Sequence, residues 1–209
     1  TFDNFALAAD RWYAMVLPFD VTPVTLSTAF GYAVTDVLDK TNDSESKVRF
    51  KLNMTTIPAN TPFIFKLAAA KNMNEVTFTG VAIEAPAADT DLIEEDAAGN
   101  QFIGTYAGVT FTAPDKDYII SIGDGDIHPA ATGAKVRPLG AYIKTVAEFA
   151  AAPVFEIEEI DGSVTTVKTI EAVKAVSAEG WYTVNGVKLN AAPAQKGVYI
   201  KDGKKVVIK

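Results

Sequence analysis

From Lys47 to Asn53 the chain alternates strictly: Val48, Phe50 and Leu52 are apolar, while Lys47, Arg49, Lys51 and Asn53 are polar. A period of two sends successive side chains to opposite faces of an extended backbone, so this segment predicts a strand with one buried and one solvated face, as in antiparallel sheets. The pattern recurs. Tyr118, Ile120 and Ile122 alternate with Asp117, Ile119 and Ser121, and residues 12–17, 33–38, 63–67, 102–106, 109–112, 139–144 and 154–160 read as further strands. Residues 75–84 are also rich in β-formers, with Gly80 as a bulge or bend. Turn residues separate these runs at the spacing of a sandwich or barrel.

These signals predict an all-β fold, an antiparallel β-sandwich with a jelly roll among the candidate topologies, over residues 1–162. One short helix interrupts it. Thr22 is a good N-cap, Pro23 fits the first helical position and Gly31 is the stop, with Val24, Leu26, Ala29 and Phe30 turned inward. A weaker helical turn fits residues 147–151. Residues 164–178 are ambiguous: Val167, Ile170, Val173 and Val176 recur every three positions, as in a helix, yet the β-branched content fits an extended linker equally. The domain boundary is placed near Asp161-Gly162, with a linker over 163–178 and a C-terminal β-hairpin unit over 179–209.

That unit carries two hairpin signals, Asn185-Gly186 and Asp202-Gly203, because both central residues of a type I′ turn need φ > 0. A two-residue loop at Asn185-Gly186 pairs Val184 with Val187 and Tyr182 with Leu189, giving one apolar face of four side chains. The Asp202-Gly203 hairpin sets Lys201 opposite Lys204, with apolar groups on both faces. The tail is expected to be folded and docked.

Composition limits the function. Only 19 Lys and Arg stand against 26 Asp and Glu, and the net charge of −7 disfavours nucleic acid and anionic membrane surfaces. There is no cysteine, which excludes thiol catalysis, disulfides and Cys-based zinc sites. No run of about 18 apolar residues reads as a transmembrane segment. Thr1, with Phe2, Phe5 and Leu7 close behind, suggests a strand already under way, and the chain is expected to be a processed form or fragment.

Several ordered blocks resemble the C-terminal region of secreted and cell-surface proteins of Bacteroidetes. Arg11-Trp12-Tyr13-Ala14-Met15-Val16-Leu17-Pro18-Phe19-Asp20 is similar to that group's W-x-x-x-x-LPF-D strand, and Ala59-Asn60-Thr61-Pro62-Phe63 to its A-x-T-P-[YF] strand. Residues 99–106 and Val136-Arg137-Pro138-Leu139-Gly140-Ala141-Tyr142-Ile143 resemble later blocks. The ending, Lys196-Gly197-Val198-Tyr199-Ile200 through Lys204-Lys205-Val206-Val207-Ile208-Lys209, is similar to a sorting-type ending of type IX secretion, though shorter. The resemblance implies export to the outer face of a Gram-negative bacterium and supplies no catalytic residues.

Candidate chemistry is sparse. His128, the one histidine, precedes Pro129 in a turn-like stretch with no marked nucleophile or orienting acid, and reads as a solvated loop residue. Asp124 and Asp126 flank Gly125 as in a calcium loop, but six or more oxygens are not there, and a turn explains them. Asp89, Asp91, Glu94, Glu95 and Asp96 form the densest acidic run; paired carboxylates hydrolyse glycosides only across a cleft, and this run reads as an exposed loop. Trp12 opens an apolar strand and reads as core. Trp181, on the polar side of the tail hairpin, is the better candidate for stacking on a sugar ring, or covers a seam. Lys201, Lys204 and Lys205 read as edge-strand guards against sheet pairing. Asn42-Asp43-Ser44 and Asn53-Met54-Thr55 match a glycosylation pattern that carries little weight in a bacterial protein.

No residue is assigned a catalytic, cofactor or metal role. The sequence reading is a non-catalytic module of an exported surface protein, supporting adhesion, ligand display or docking; its alternative is an accessory carbohydrate-binding module of a glycan-degrading enzyme. Expected partners are a cell-surface glycan or protein, and export machinery through the tail.

Overall fold

The computed structural model describes residues 5–31, 33–146, 154–158, 164–168, 181–183, 188–189, 197–201 and 204–208. The chain divides into two compact units, Thr1–Ile170 and Glu171–Lys209. The architecture is all-β and sandwich-like, with several sheets, one short α-helix and no barrel.

The first unit is layered on a six-stranded sheet whose order is Val164–Lys168, Val154–Glu158, Lys47–Leu52, Ala33–Leu38, Phe63–Leu67, Trp12–Met15. A five-stranded sheet, Ile127–Pro129, Asp117–Ile120, Gly140–Lys144, Gln101–Thr105, Ile93–Glu95, supplies the second layer. Alternation places Trp12, Val34, Val48, Phe50, Ile64, Phe155 and Ile157 in a core with Phe102, Tyr118 and Ile143 of the second sheet. The opposite face, through Tyr13, Met15, Phe63, Phe65 and Leu67, packs beneath the helix residues Leu26, Ala29 and Phe30 and the segment around Met73 and Val76. A sheet buried on both faces needs apolar residues at both parities, which is why Phe63, Ile64 and Phe65 run together. Each such burial stabilises the fold by about 1.5–3 kcal/mol.

The helix, Pro23–Phe30, follows its signals: the Thr22 side chain accepts from the Thr25 amide at 3.0 Å, and Gly31 ends it with φ of 81°. Val24 does not turn inward, being 74% exposed. The other expected strands of this unit lie within two residues of their predicted ends, save residues 75–84. There Met73–Glu75 is a 3-10 turn and no strand follows. Val76, Phe78 and Val81 still pack into the helix-side core, as an irregular cover with no neighbouring strand to pair.

Two expectations about the sheet are corrected. The sandwich is not wholly antiparallel, because Val154–Glu158 runs parallel to Lys47–Leu52. The expected linker at 163–178 begins inside the sheet: Val164–Lys168 pairs antiparallel with Val154–Glu158, so the boundary near Asp161-Gly162 is too early. The β-branched residues of Val164–Lys168 suit a pleated strand, and residues 169–178 lie outside the described residues. The helical turn expected at 147–151 lies outside the described residues.

The second unit holds a four-stranded sheet in the order Lys188–Leu189, Trp181–Thr183, Gly197–Lys201, Lys204–Ile208. Lys201 stands opposite Lys204, as a two-residue loop at Asp202-Gly203 requires. The first hairpin is one residue out of the expected register: Tyr182 faces Lys188, and Leu189 faces Trp181. The shared face of Tyr182 and Leu189 is therefore not formed as expected; Val184 and Val187 lie outside the described residues. The two hairpins join edge to edge through Trp181–Thr183 and Gly197–Lys201.

Candidate functional site

A cleft of about 1060 Å³ lies in the first unit, beside the edge strand Trp12–Met15. Its origin is a fork in the second sheet. Asp117–Ile120 pairs with Gly140–Lys144 only at Asp117–Lys144 and Tyr118–Ile143. Beyond that, Ile119 and Ile120 turn to His128 and Ile127, while Gly140 and Ala141 stay with Thr105 and Gly104.

The two arms are tied to opposite ends of the edge strand. The Val16 amide donates to the Leu139 carbonyl at 2.9 Å, and the Arg11 guanidinium donates to the Gly123 carbonyl. Those anchors are five residues apart, roughly 16 Å along an extended chain. Each tie depends on local backbone chemistry. Leu139 takes a positive φ of 62° after Arg137-Pro138, and Gly140 donates back to the Arg137 carbonyl at 3.0 Å. Gly125, at φ of 80°, sits so close to Arg11 that a β-carbon would meet its Cβ at 2.8 Å. Any larger residue there strains the loop and lifts it off the strand.

The cleft floor is apolar, formed by Leu7, Tyr13, Met15, Phe65 and Met73; Ile119, Ile120 and Ile122 line one side, and Val109, Val136, Pro138 and Leu139 another. The Tyr13 hydroxyl is satisfied by the Ala8 amide at 2.7 Å. Tyr106, also on the wall, donates to the Asn60 side chain, and burial pushes its hydroxyl pKa upward. The charged lining residues described are Lys135 and Arg137, the latter with its guanidinium 4.4 Å from the centre of the Phe5 ring. This arrangement combines an apolar floor with an exposed ammonium at Lys135.

The loop residues singled out from the sequence gather nearby. Asp124, Asp126 and His128 bring potential ligand atoms within 4.8 Å of one another, and His128 Nε2 lies 3.0 Å from Asp124 Oδ2. Burial pushes the Asp124 carboxyl up, but the Asp126 amide, the Ser121 hydroxyl and His128 outweigh it and hold the pKa below its ordinary value. Three side chains fall short of the oxygens calcium takes. The Ser121 hydroxyl accepts from the Gly123 amide at 3.2 Å, and His128 is oriented by Asp124.

The acidic run is the exposed loop the sequence suggests only in part: Asp91 and Glu95 are exposed, and Asp96 is not. Asp96 is buried and accepts from the Asn100 amide at 2.8 Å and the Asn42 side chain at 2.8 Å. Asp91 accepts from the amides of Ala87 and Ala88, and Glu94 pairs with Lys40. These carboxylates hold loops and do not face one another across a cleft. Trp12 is core, 8% exposed, with the Lys66 ammonium 4.8 Å from its ring centre. Trp181 is half-buried, with the Lys201 ammonium 5.4 Å from its ring centre.

Sequence reading missed the cleft because no single segment makes it. The one local signal was the block from Val136 to Ile143, where Arg137-Pro138 forces an extended residue before a sharp turn. Among the described residues no helix is long and apolar enough to cross a membrane. No family model, curated protein or solved structure matches this chain.

Proposed function

We propose that this chain is a non-catalytic binding module of an exported bacterial surface protein, serving adhesion, ligand display or docking. The observation that carries this reading is the cleft beside Trp12–Met15. It combines an apolar floor with Lys135 and Arg137, and its described lining includes no carboxylate or imidazole. An apolar floor with an exposed cation beside it supports retention of a ligand. The resemblance to Bacteroidetes secreted and cell-surface proteins supports the location, on the outer face of a Gram-negative cell. The similarity of Lys196-Gly197-Val198-Tyr199-Ile200 through Lys204-Lys205-Val206-Val207-Ile208-Lys209 to a sorting-type ending supports recognition of the tail by export machinery.

The accessory carbohydrate-binding reading has less support. Trp181 is the aromatic best placed for it, and Lys201 already stands over its ring. A glycan array separates the two: binding that is lost in Trp181→Ala establishes the carbohydrate reading. For location, the test is protease shaving and fractionation of bacteria expressing the full-length gene. Surface exposure is the expected result; recovery confined to the cytoplasm overturns the proposal.

A further inference from the structure

We propose that the cleft beside Trp12–Met15 accepts, by strand addition, an extended peptide segment of a partner protein, apolar along its length and acidic at one end. This deepens the binding-module reading and rests on it only for the biological setting. Three strand edges border the cleft. Trp12–Met15 pairs on one side, with Phe63–Leu67. Ile119 and Ile120 pair on one side, with His128 and Ile127. Gly140 and Ala141 pair on one side, with Thr105 and Gly104, although the Gly140 amide is already taken by the Arg137 carbonyl. Among the described residues no strand ladders the other sides. Rows of amide N–H and carbonyl groups at such edges are a template for a further strand. A free fatty acid can accept from such amides only at its carboxylate and cannot form a ladder along the edge.

The dimensions and charge select the segment. The anchors at Arg11 and Val16 leave roughly 16 Å between them, the length of about five extended residues. Alternate side chains of that segment meet the apolar floor. The first 170 residues hold 12 Lys and Arg against 23 Asp and Glu, yet Lys135 sets an exposed ammonium at the cleft, and no carboxylate is among its described lining residues. A cationic site on a strongly anionic unit attracts an acidic segment and repels a basic one.

The probe is a fluorescein-labelled seven-residue peptide of alternating valine and threonine closed by two aspartates, titrated with the full chain and read by fluorescence anisotropy. Saturable binding is expected, weakening as salt rises. Replacing the two aspartates by lysines, or Lys135→Glu in the protein, is expected to weaken it about tenfold or more through lost charge complementarity. Both Lys135 and Ile122 are exposed, so Lys135→Glu and Ile122→Asp test binding without disturbing the core. N-methylation of alternate peptide amides abolishes binding if the backbone is laddered. Three results overturn the proposal: no saturation up to millimolar protein, equal binding of the N-methylated peptide, or binding of dodecanoate at the cleft with none of the peptide. Any of these leaves the surface-module reading standing, since that fails separately by fractionation.

Discussion

At Gly104 the two layers meet without a side chain between them: a β-carbon there lies 2.8 Å from the Val16 Cβ. Val16 is fully buried and fixed by its amide bond to Leu139, so it has nowhere to retreat. Gly104→Ala is expected to cost about 1–3 kcal/mol by overpacking, read as a lower urea midpoint with an unchanged slope. Trp12→Ala acts in the opposite sense, by leaving a cavity among Ile64, Phe102 and Tyr118, and is expected to cost about 3–5 kcal/mol in the same assay. A change under about 0.5 kcal/mol contradicts its place in the core. Trp12 was legible as core because it opens an apolar strand. Asp96 was not: its acidic neighbours suggest solvent, and only the fold brings Asn42 to it from 54 positions away.

At the scale of elements, the parallel pair Lys47–Leu52 and Val154–Glu158 is held on its outer face by Glu156. Its carboxylate accepts from Lys47 Nζ at 2.7 Å and from Arg49 at 2.7 and 3.0 Å. Those bonds, against a smaller opposing effect of burial, hold the Glu156 pKa below its ordinary 4.5. A carboxylate whose folded pKa is depressed contributes its stabilisation in full above the ordinary value and loses it as pH falls through the folded value. Stability is therefore expected to decline below about pH 4.5, and Glu156→Gln is expected to flatten that part of the decline while costing about 1–3 kcal/mol at neutral pH. Urea titrations from pH 7 to pH 3 check both; identical pH dependence in the two proteins refutes the role given to Glu156. In the tail sheet, Gly197–Lys201 is paired on both sides and Lys188–Leu189 on one. Hydrogen exchange is expected to be slower in Gly197–Lys201, and equal rates in both strands contradict the sheet order. The second hairpin was readable because Asp202-Gly203 fixes a two-residue loop. The joining of the hairpins was not, since an edge-to-edge pairing leaves no local mark.

For the whole molecule, the central sheet closes only when Val154–Glu158 returns to Lys47–Leu52 across more than a hundred intervening residues. Loop closure over that distance precedes any reward from the pairing, so refolding of the first unit is expected in milliseconds to seconds rather than microseconds. Stopped-flow tryptophan fluorescence measures it through the core residue Trp12. The sequence alone determined most strands of the first unit, because alternation such as that of Lys47 to Leu52 is a local consequence of burying one face, whereas residues 75–84, equally rich in β-formers, made none. It also determined the helix, because Thr22, Pro23 and Gly31 act on their own backbone. Tertiary structure alone decided which strands became neighbours, that one pair is parallel, and that Val164–Lys168 extends the sheet. It likewise decided that Asp117–Ile120 and Gly140–Lys144 part to open a cleft. Pairing is set by contacts between residues far apart in the chain, and the fork by ties from Gly123 and Leu139 to Arg11 and Val16, which no periodicity within a segment encodes.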